Sequence, residues 1–391
     1  MHEAPAKALA IEIKDEARRV GFSLVGITSP DPPAHLEVYR AWLSEGHHAG
    51  MAYMNREDAR QHRADPRSIL PECRAIIVLA ANYLPGNTAR DRMASHLQIA
   101  SYALGDDYHI VLPERMRRLV EFVQERLGRD VRHKIYTDTG PLLERELAQR
   151  AGLGWIGKNS CLIHPRLGSY FVLGEILLDV PLPIDAPYAY DRCGTCSRCI
   201  DACPTQCILP DRTLDSRKCI AYWTIEARDA IALDVRSQIG DWLFGCDVCQ
   251  QVCPFNITFA RPSEDPAFQI REFLAGATLE QFLQLLPDGW RRRFKESPLL
   301  RARRRGLVRN AAVVAGNAEA PAFVPQLTVL LQQDPEPLVR SHAAWALGRI
   351  RSPQALSVLR AAHSGEKSPE VIEAIEAALR DSWLFTLDSR K

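Results

Sequence analysis

The chain has 391 residues, of which 46% are hydrophobic and 25% charged, and a net charge of +1. That length is too great for one simple core and predicts two or three domains of ordinary globular composition, which excludes disordered and collagen-like classes. No apolar run approaches the roughly 20 residues of a membrane-spanning helix. The start, Met1, His2, Glu3, shows no basic region leading into an apolar stretch, so a cytoplasmic location is expected.

In chain order, Ile11, Ala17 and Val20 recur at helical spacing, and Glu12, Asp15 and Glu16 precede the pair Arg18-Arg19. The pair therefore belongs to the surface of an amphipathic helix, not to a twin-arginine export signal. Gly21 ends that helix, and 22–27 is an apolar run suited to a buried strand. A second such run, 75–81, lies between Pro71 and Pro85-Gly86. Pro113 is expected to open a helix through Met116, Leu119, Val120, Val123 and Leu127, stopped by Gly128. A strand at 131–137 then feeds a helix at 141–151, closed by Gly152. A β segment at 170–178 precedes a joint rich in proline (Pro181, Pro183, Pro187). The pattern predicts an α/β domain over 1–186.

Cys193, Cys196, Cys199 and Cys203, followed by Pro204, form C-x-x-C-x-x-C-x-x-x-C-P, and Cys246, Cys249 and Cys253 with Pro254 repeat a shortened form. In two-cluster ferredoxins the three close thiolates of a run hold one cubane, while the cysteine before proline ligates the other cluster. The second run lacks its first cysteine, and Cys219 is the natural replacement. The expected sets are Cys193, Cys196, Cys199 and Cys253 for one [4Fe-4S] cluster, and Cys203, Cys219, Cys246 and Cys249 for the other. Structural zinc is the competing assignment, but two CP-terminated runs exceed what zinc knuckles need. Disulfides are disfavoured by the spacing and the reducing location. Cys73, Cys161 and Cys207 are left as buried structural thiols. A ferredoxin-like module is thus expected over 187–262.

Beyond Pro266 the sequence becomes helical and repetitive. Ala311-Ala312 and Gly316 recur about 32 residues later as Ala343-Ala344 and Gly348, and 375–379 continues the pattern more weakly. The period implies stacked helix pairs, and 339–348 resembles a HEAT-type helix, against the plainer option of an alanine-rich bundle. The expected all-α repeat region is 263–391. Within it, Arg291, Arg292, Arg293, Lys295, Arg301, Arg303, Arg304, Arg305 and Arg309 are opposed only by Glu296. Such a segment suits phosphate backbones, and beside a repeat scaffold RNA is the favoured partner. A solvated arginine face is the alternative.

The stretches Tyr136-Thr137-Asp138-Thr139-Gly140-Pro141-Leu142-Leu143-Glu144-Arg145 and Ala151-Gly152-Leu153-Gly154-Trp155-Ile156-Gly157-Lys158-Asn159-Ser160 closely resemble the epoxyqueuosine reductase family. With the cysteine set and the HEAT-like repeats, the resemblance covers essentially the whole chain. It implies a nitroreductase-like cobalamin domain, two [4Fe-4S] clusters and repeats that bind tRNA. The implied activity is the last step of queuosine biosynthesis: reduction of the epoxide of epoxyqueuosine at wobble position 34, giving queuosine and water. A monomer fed by an external low-potential electron donor is expected. The cobalt-ligand motif D-x-H-x-x-G has its nearest match at 107–112, where Leu112 replaces the glycine. That agrees with a family, similar to reductive dehalogenases, that holds the corrin without this histidine. Gly154, Gly157 and Gly168 fit no phosphate loop and are expected to admit a large planar ligand. Lys158, Asn159 and Ser160 are candidate corrin or nucleotide-tail contacts, with Arg56, Tyr102 and His109 as further candidates. The resemblance makes Asp138 the proton donor, next to the corrin, while its place before a helix equally suits an N-cap. The alternatives are a corrinoid enzyme like the reductive dehalogenases and a cytosolic iron–sulfur electron carrier.

Overall fold

A computed structural model describes the backbone at 3–86 and 96–388 and side chains at 4–86 and 96–380. Two compact units interleave along the sequence. The first takes its described residues from 1–87, 104–217 and 247–269, the second from 88–103, 218–246 and 270–391.

The first unit is built on a four-stranded sheet. Helix α1 (Glu3–Arg19) leads into β1 (Leu24–Thr28), and β2 is Ala75–Asn82. Helix α2 (Tyr108–Leu127), β3 (His133–Tyr136), α3 (Glu144–Arg150) and β4 (Phe171–Leu178) follow. Strand order is β1-β2-β4-β3 with every pair antiparallel, so that Ile76 faces Leu177 and Tyr136 faces Glu175. The continuous apolar run of β2 is explained by its internal position: residues 75–81 are wholly buried, each large side chain adding about 1.5–3 kcal/mol. Ile76, Val78, Ala80 and Leu177 share a core with Leu142, Leu147 and Ala148 beside α3. Successive strand residues alternate faces, and Gly174, of the opposite parity, lies against Met116 of α2.

Two helix starts differ from expectation. Helix α2 begins at Tyr108, capped by Asp107, whose carboxylate accepts the His109 amide, and Pro113 lies inside the helix. The cap supplies the start that proline was expected to provide. Helix α3 begins at Glu144, with no side-chain cap at Leu143. The preceding residues are held in a turn described below.

In the second unit, α7 to α11 are the repeat helices; α4 (Arg198–Asp201), α5 (Val248–Gln251) and α6 (Pro254–Phe259) belong to the cysteine segments of the first unit. Helices α7 (Arg303–Ala318), α8 (Val324–Gln333), α9 (Pro337–Ile350), α10 (Pro353–His363) and α11 (Pro369–Asp388) stack so that α7 packs on α9 and α9 on α11. The glycines aligned in the sequence do the same job. A Cβ on Gly316 would lie 2.9 Å from Ala346 Cα, and one on Gly348 would lie 3.0 Å from Ala378 Cα. Residues 218–246 belong to this unit as well. Arg309 is buried and donates to the carbonyls of Trp223 (2.6 Å), Ala227 (2.9 Å) and Asp229 (2.8 Å). Asn310 donates to Thr224 and Leu243, and His342 Nε2 accepts the Ile231 amide. The segment between the cysteine runs is thus anchored by the repeats. Among the described residues no helix is long and apolar enough to cross a membrane.

Candidate active site

Beyond β3 the chain turns sharply at Asp138. Thr137 is buried and its hydroxyl donates to Leu173 O of β4 at 2.6 Å. The Thr139 amide donates to Thr137 O across Asp138, whose φ is +57°. A three-residue turn with positive φ at its centre is the rare, strained γ-turn, and it survives only where its surroundings enforce it. Part of that enforcement comes from α3, because the Asp138 amide donates to Glu144 Oε1 at 2.6 Å. Asp138 therefore caps no helix.

The Asp138 carboxylate is 64% exposed. Its Oδ2 accepts the Tyr108 hydroxyl (2.8 Å) and faces His109 Nε2 (3.4 Å), while His109 Nδ1 meets Asp107 Oδ1 at 2.7 Å. The Tyr108 and His109 rings stack with centroids 4.1 Å apart. Burial works against the His109 cation, but the hydrogen bonds to Asp107 and Asp138 outweigh it and push the pKa up to about 9. At neutral pH the imidazolium thus sits between two carboxyl groups, a chemical arrangement able to pass a proton to Asp138. Behind this front lies an acid pair. Glu175, wholly buried on β4, has no well-formed hydrogen bond to either oxygen among the described residues, and the Glu144 carboxyl is its titrating neighbour. Burial first and the Asp138 charge second push Glu144 up to about 8. Burial and then Glu144 push Glu175 well up.

The hairpin pairing 155–156 with 162–163 grips the cysteine loops. Trp155 Nε1 donates to Cys193 Sγ at 3.4 Å, and Trp155, Ile163 and Cys253 form a core lined by Tyr188, Cys193 and Phe255. Lys158 Nζ donates to the carbonyls of Gly194 (2.8 Å) and Cys196 (2.9 Å). Asn159 Nδ2 reaches Cys249 O at 3.4 Å, and Ser160 Oγ donates to Arg212 O. These three polar side chains serve the cysteine segments, a different task from the corrin contacts expected of them. Burial, then the nearby Cys193 and Cys253, raise the Cys199 thiol; burial, partly offset by backbone amides, raises Cys253, with Cys193 adding to the rise. Thiols from both runs thus gather in the first unit, an arrangement that iron's positive charge would relieve. Cys203 and Cys249 also lie in the first unit, whereas Cys219 and Cys246 lie in the second. Cys73 and Cys207 are buried, but Cys161 is only partly so.

The glycines expected to admit a planar ligand instead admit protein. A Cβ at Gly154 would fall 2.2 Å from Ile163 O, one at Gly157 2.4 Å from Ile163 Cδ1, and one at Gly168 2.1 Å from Asn256 Oδ1. Arg56 is exposed and paired with Asp58, and Tyr102, partly buried, lies against Phe244. Tyr108, Glu144 and Glu175 escaped the sequence reading. The signal for Glu175 was a single acid within an apolar strand, since a buried polar group is the informative kind.

The arginine segment divides by burial. Arg291, Arg292, Arg293, Lys295 and Arg303 are exposed. Arg304 is buried, paired with Asp334 and bonded to Leu285 O, so it is not a nucleic-acid contact. Arg301 is held by both oxygens of Glu226 at 2.8 Å, and Arg305 faces Glu336 at 3.9 Å.

Comparison with known proteins gives three matching family models. These are epoxyqueuosine reductase QueG, DUF1730 at 63–139, a 4Fe-4S double cluster binding domain at 192–256, and HEAT repeats at 298–380. An epoxyqueuosine reductase from Pseudomonas aeruginosa is 40% identical over 353 residues, covering 88% of this chain and 95% of that protein. One from Xanthomonas campestris pv. campestris is 40% identical over 349 residues, covering 87% and 96%. A crystal structure of epoxyqueuosine reductase with a tRNA-Tyr epoxyqueuosine-modified stem loop matches with TM-score 0.86 at 29% identity, over 95% of this chain and 98% of that one. The Bacillus subtilis enzyme, with an aspartate-bearing catalytic loop swung out of its active site, matches with TM-score 0.87 at 28% identity over the same shares.

Proposed function

The chain belongs to the epoxyqueuosine reductase family, and from that premise we propose how its residues carry the reaction. The protein is an oxidoreductase of queuosine biosynthesis that reduces epoxyqueuosine in tRNA and carries a 4Fe-4S double-cluster domain. Conversion of the epoxide to an alkene and water consumes two electrons and two protons. The alkoxide is a poor leaving group without an acid.

We assign that acid to Asp138. The observation that carries the assignment is the Asp107–His109–Asp138 line, with the Tyr108 hydroxyl on the same Asp138 oxygen. Asp138 relays the His109 imidazolium's proton to the epoxide oxygen and is left as the carboxylate beside a neutral imidazole. Tyr108 fixes the carboxyl group's orientation.

Cobalamin is the cofactor the family implies. The donor set fits a corrin bound without a histidine from this segment, because both ring nitrogens of His109 are turned to carboxyl groups. Arg56 is a side chain we assign to holding it. When bound, it supplies the two-electron reductant for the epoxide. Cys193, Cys196, Cys199 and Cys253 would hold one cluster and Cys203, Cys219, Cys246 and Cys249 the other, and the clusters would supply single electrons at potentials that can reach roughly −700 mV. Trp155 and Lys158 fix the loop of the first cluster. Arg291, Arg292, Arg293, Lys295 and Arg303 hold tRNA phosphates while the modified base leaves its stack. Asp138→Asn tests the assignment. It should retain iron, sulfide and tRNA affinity yet lose turnover on epoxyqueuosine-containing tRNA, and normal turnover would refute the role.

A further inference from the structure

The site contains an acid that the reaction scheme leaves unused. Glu144 opens α3, and its Oε1 accepts the amide of Asp138 at the centre of the strained turn. Glu175 lies behind it on an internal strand, with no exposed surface and no well-formed hydrogen bond at either oxygen among the described residues. Such a group costs about 1–3 kcal/mol when its polar atoms go unpaired. A fold that needed only packing would place leucine or methionine there. The cost is concentrated one side chain away from the aspartate that must meet the substrate.

We propose that Glu144, backed by Glu175, is a positioning residue that holds the Asp138 turn in its working shape only while the two neighbouring carboxyl groups keep a proton between them. This deepens the reading of Asp138 as the acid and rests on it. With a proton present, Glu144 stays beside Glu175 and keeps its oxygen on the Asp138 amide. When both groups ionise, two adjacent like charges repel, and Glu144, the one that is only partly buried, relieves the repulsion by swinging outward, releasing the amide. The γ-turn then loses a restraint and relaxes, carrying the carboxyl group away from Tyr108 and His109. The charged and titratable groups around Glu144 are Asp138, Arg145 and Glu175; those around Glu175 are Glu144, Asp138 and, from the paired strand, Tyr136. His109 and Tyr108 reach the pair only through Asp138. Arg145 and the contact with Glu175 favour ionised Glu144, while burial and the Asp138 charge oppose it more strongly.

Steady-state turnover of epoxyqueuosine-containing tRNA by the cofactor-loaded full chain, measured from pH 6 to pH 9.5, tests the proposal with three variants. Glu144→Ala should lower kcat about 100-fold, the scale of a roughly 1 Å misplacement of a reacting group, with KM for tRNA and iron content unchanged. Glu144→Gln offers the same carbonyl oxygen to the Asp138 amide but cannot ionise. It should keep most of the neutral-pH kcat and move the alkaline fall of activity to higher pH, towards the His109 titration. An alkaline limb in Glu144→Gln that coincides with the native one overturns the proposal, and so does a Glu144→Ala enzyme with native kcat. If Glu144→Ala loses iron through misfolding, the Glu144→Gln profile decides alone. Asp138→Asn, run in parallel, separates the two ideas: native turnover there refutes the acid assignment itself, whereas an inactive Asp138→Asn beside a native Glu144→Ala refutes only the positioning role.

Discussion

At the scale of single residues the chemistry is concentrated in charges that the fold holds against their preference. His109 gains its proton affinity from Asp107 and Asp138 despite burial. Its folded pKa lies above the unfolded value, so its favourable contribution is complete below about pH 6.5 and is lost as pH rises through about 9. Glu175 moves stability in the same direction with pH, but from burial and not from attractive partners. Its pKa is raised by burial, so the native state binds a proton that the unfolded state releases, and stability falls as pH rises above the ordinary glutamate range. Glu175→Met should therefore stabilise the protein by about 1–3 kcal/mol at pH 8 and by less at pH 5. Denaturant titrations at the two pH values check this, and an equal gain at both would remove the titration from the explanation. Turnover of the same variant should fall, trading activity for stability.

The double-cluster domain was legible in the cysteine pattern because cluster ligation fixes both the side chain and its spacing. The conformation of Asp138 was not legible. Its neighbours Thr139, Gly140 and Pro141 carry the composition of a helix start, and the turn that replaces the helix depends on Glu144, six positions on, and on Leu173 in another strand. Local propensity cannot register such distant partners. The bonds of Lys158 were hidden for a similar reason: a lysine in a glycine-rich motif donates to the carbonyls of Gly194 and Cys196, far along the chain.

At the scale of elements, β2 was legible from its apolar run, since burial on both faces leaves no alternation to misread. Helix boundaries were less so. Asp107 outcompeted Pro113 as the start of α2, and that earlier start is what brings Tyr108 and His109 to the active site. In the repeats, the spacing of Gly316 and Gly348 carried real packing information. The arginine-rich run, by contrast, concealed two functions under one composition. Arg309 is buried, and burial, reinforced by nearby Arg228, pulls its pKa down to about 9. Its donors satisfy three carbonyls of 223–229 and thereby tie down the segment between the cysteine runs. Arg309→Met should destabilise the protein by about 3 kcal/mol or more, because those buried acceptors lose their donors. It should also lower the iron bound per chain, since Cys219 and Cys246 lie in the same unit. Full iron content in a destabilised Arg309→Met protein would show that this anchoring does not support the second ligand set.

At the scale of the whole molecule, the sequence suggested consecutive domains, whereas the compact units are assembled from interleaved segments. Sequence order does not register the long-range hydrogen bonds that assign 218–246 to the repeats. Net charge near zero likewise hides the exposed cations at 291–293, 295 and 303. If these residues hold tRNA phosphates, affinity falls steeply with salt, and Arg291→Ala, Arg292→Ala and Arg293→Ala together reduce the slope by roughly three counterions' worth. A filter-binding series over salt concentration checks this, and an unchanged slope in the triple variant moves the RNA contact elsewhere.

The central claim is that this chain removes the epoxide oxygen from a tRNA-borne nucleoside using its cysteine-held clusters and Asp138. Its most direct test is nucleoside mass spectrometry of epoxyqueuosine-containing tRNA incubated anaerobically with the iron-, sulfide- and cobalamin-loaded protein and a low-potential reductant. The account predicts conversion of epoxyqueuosine to queuosine by the native chain and none by Asp138→Asn. Intact epoxyqueuosine after incubation with fully loaded, folded native protein would contradict it.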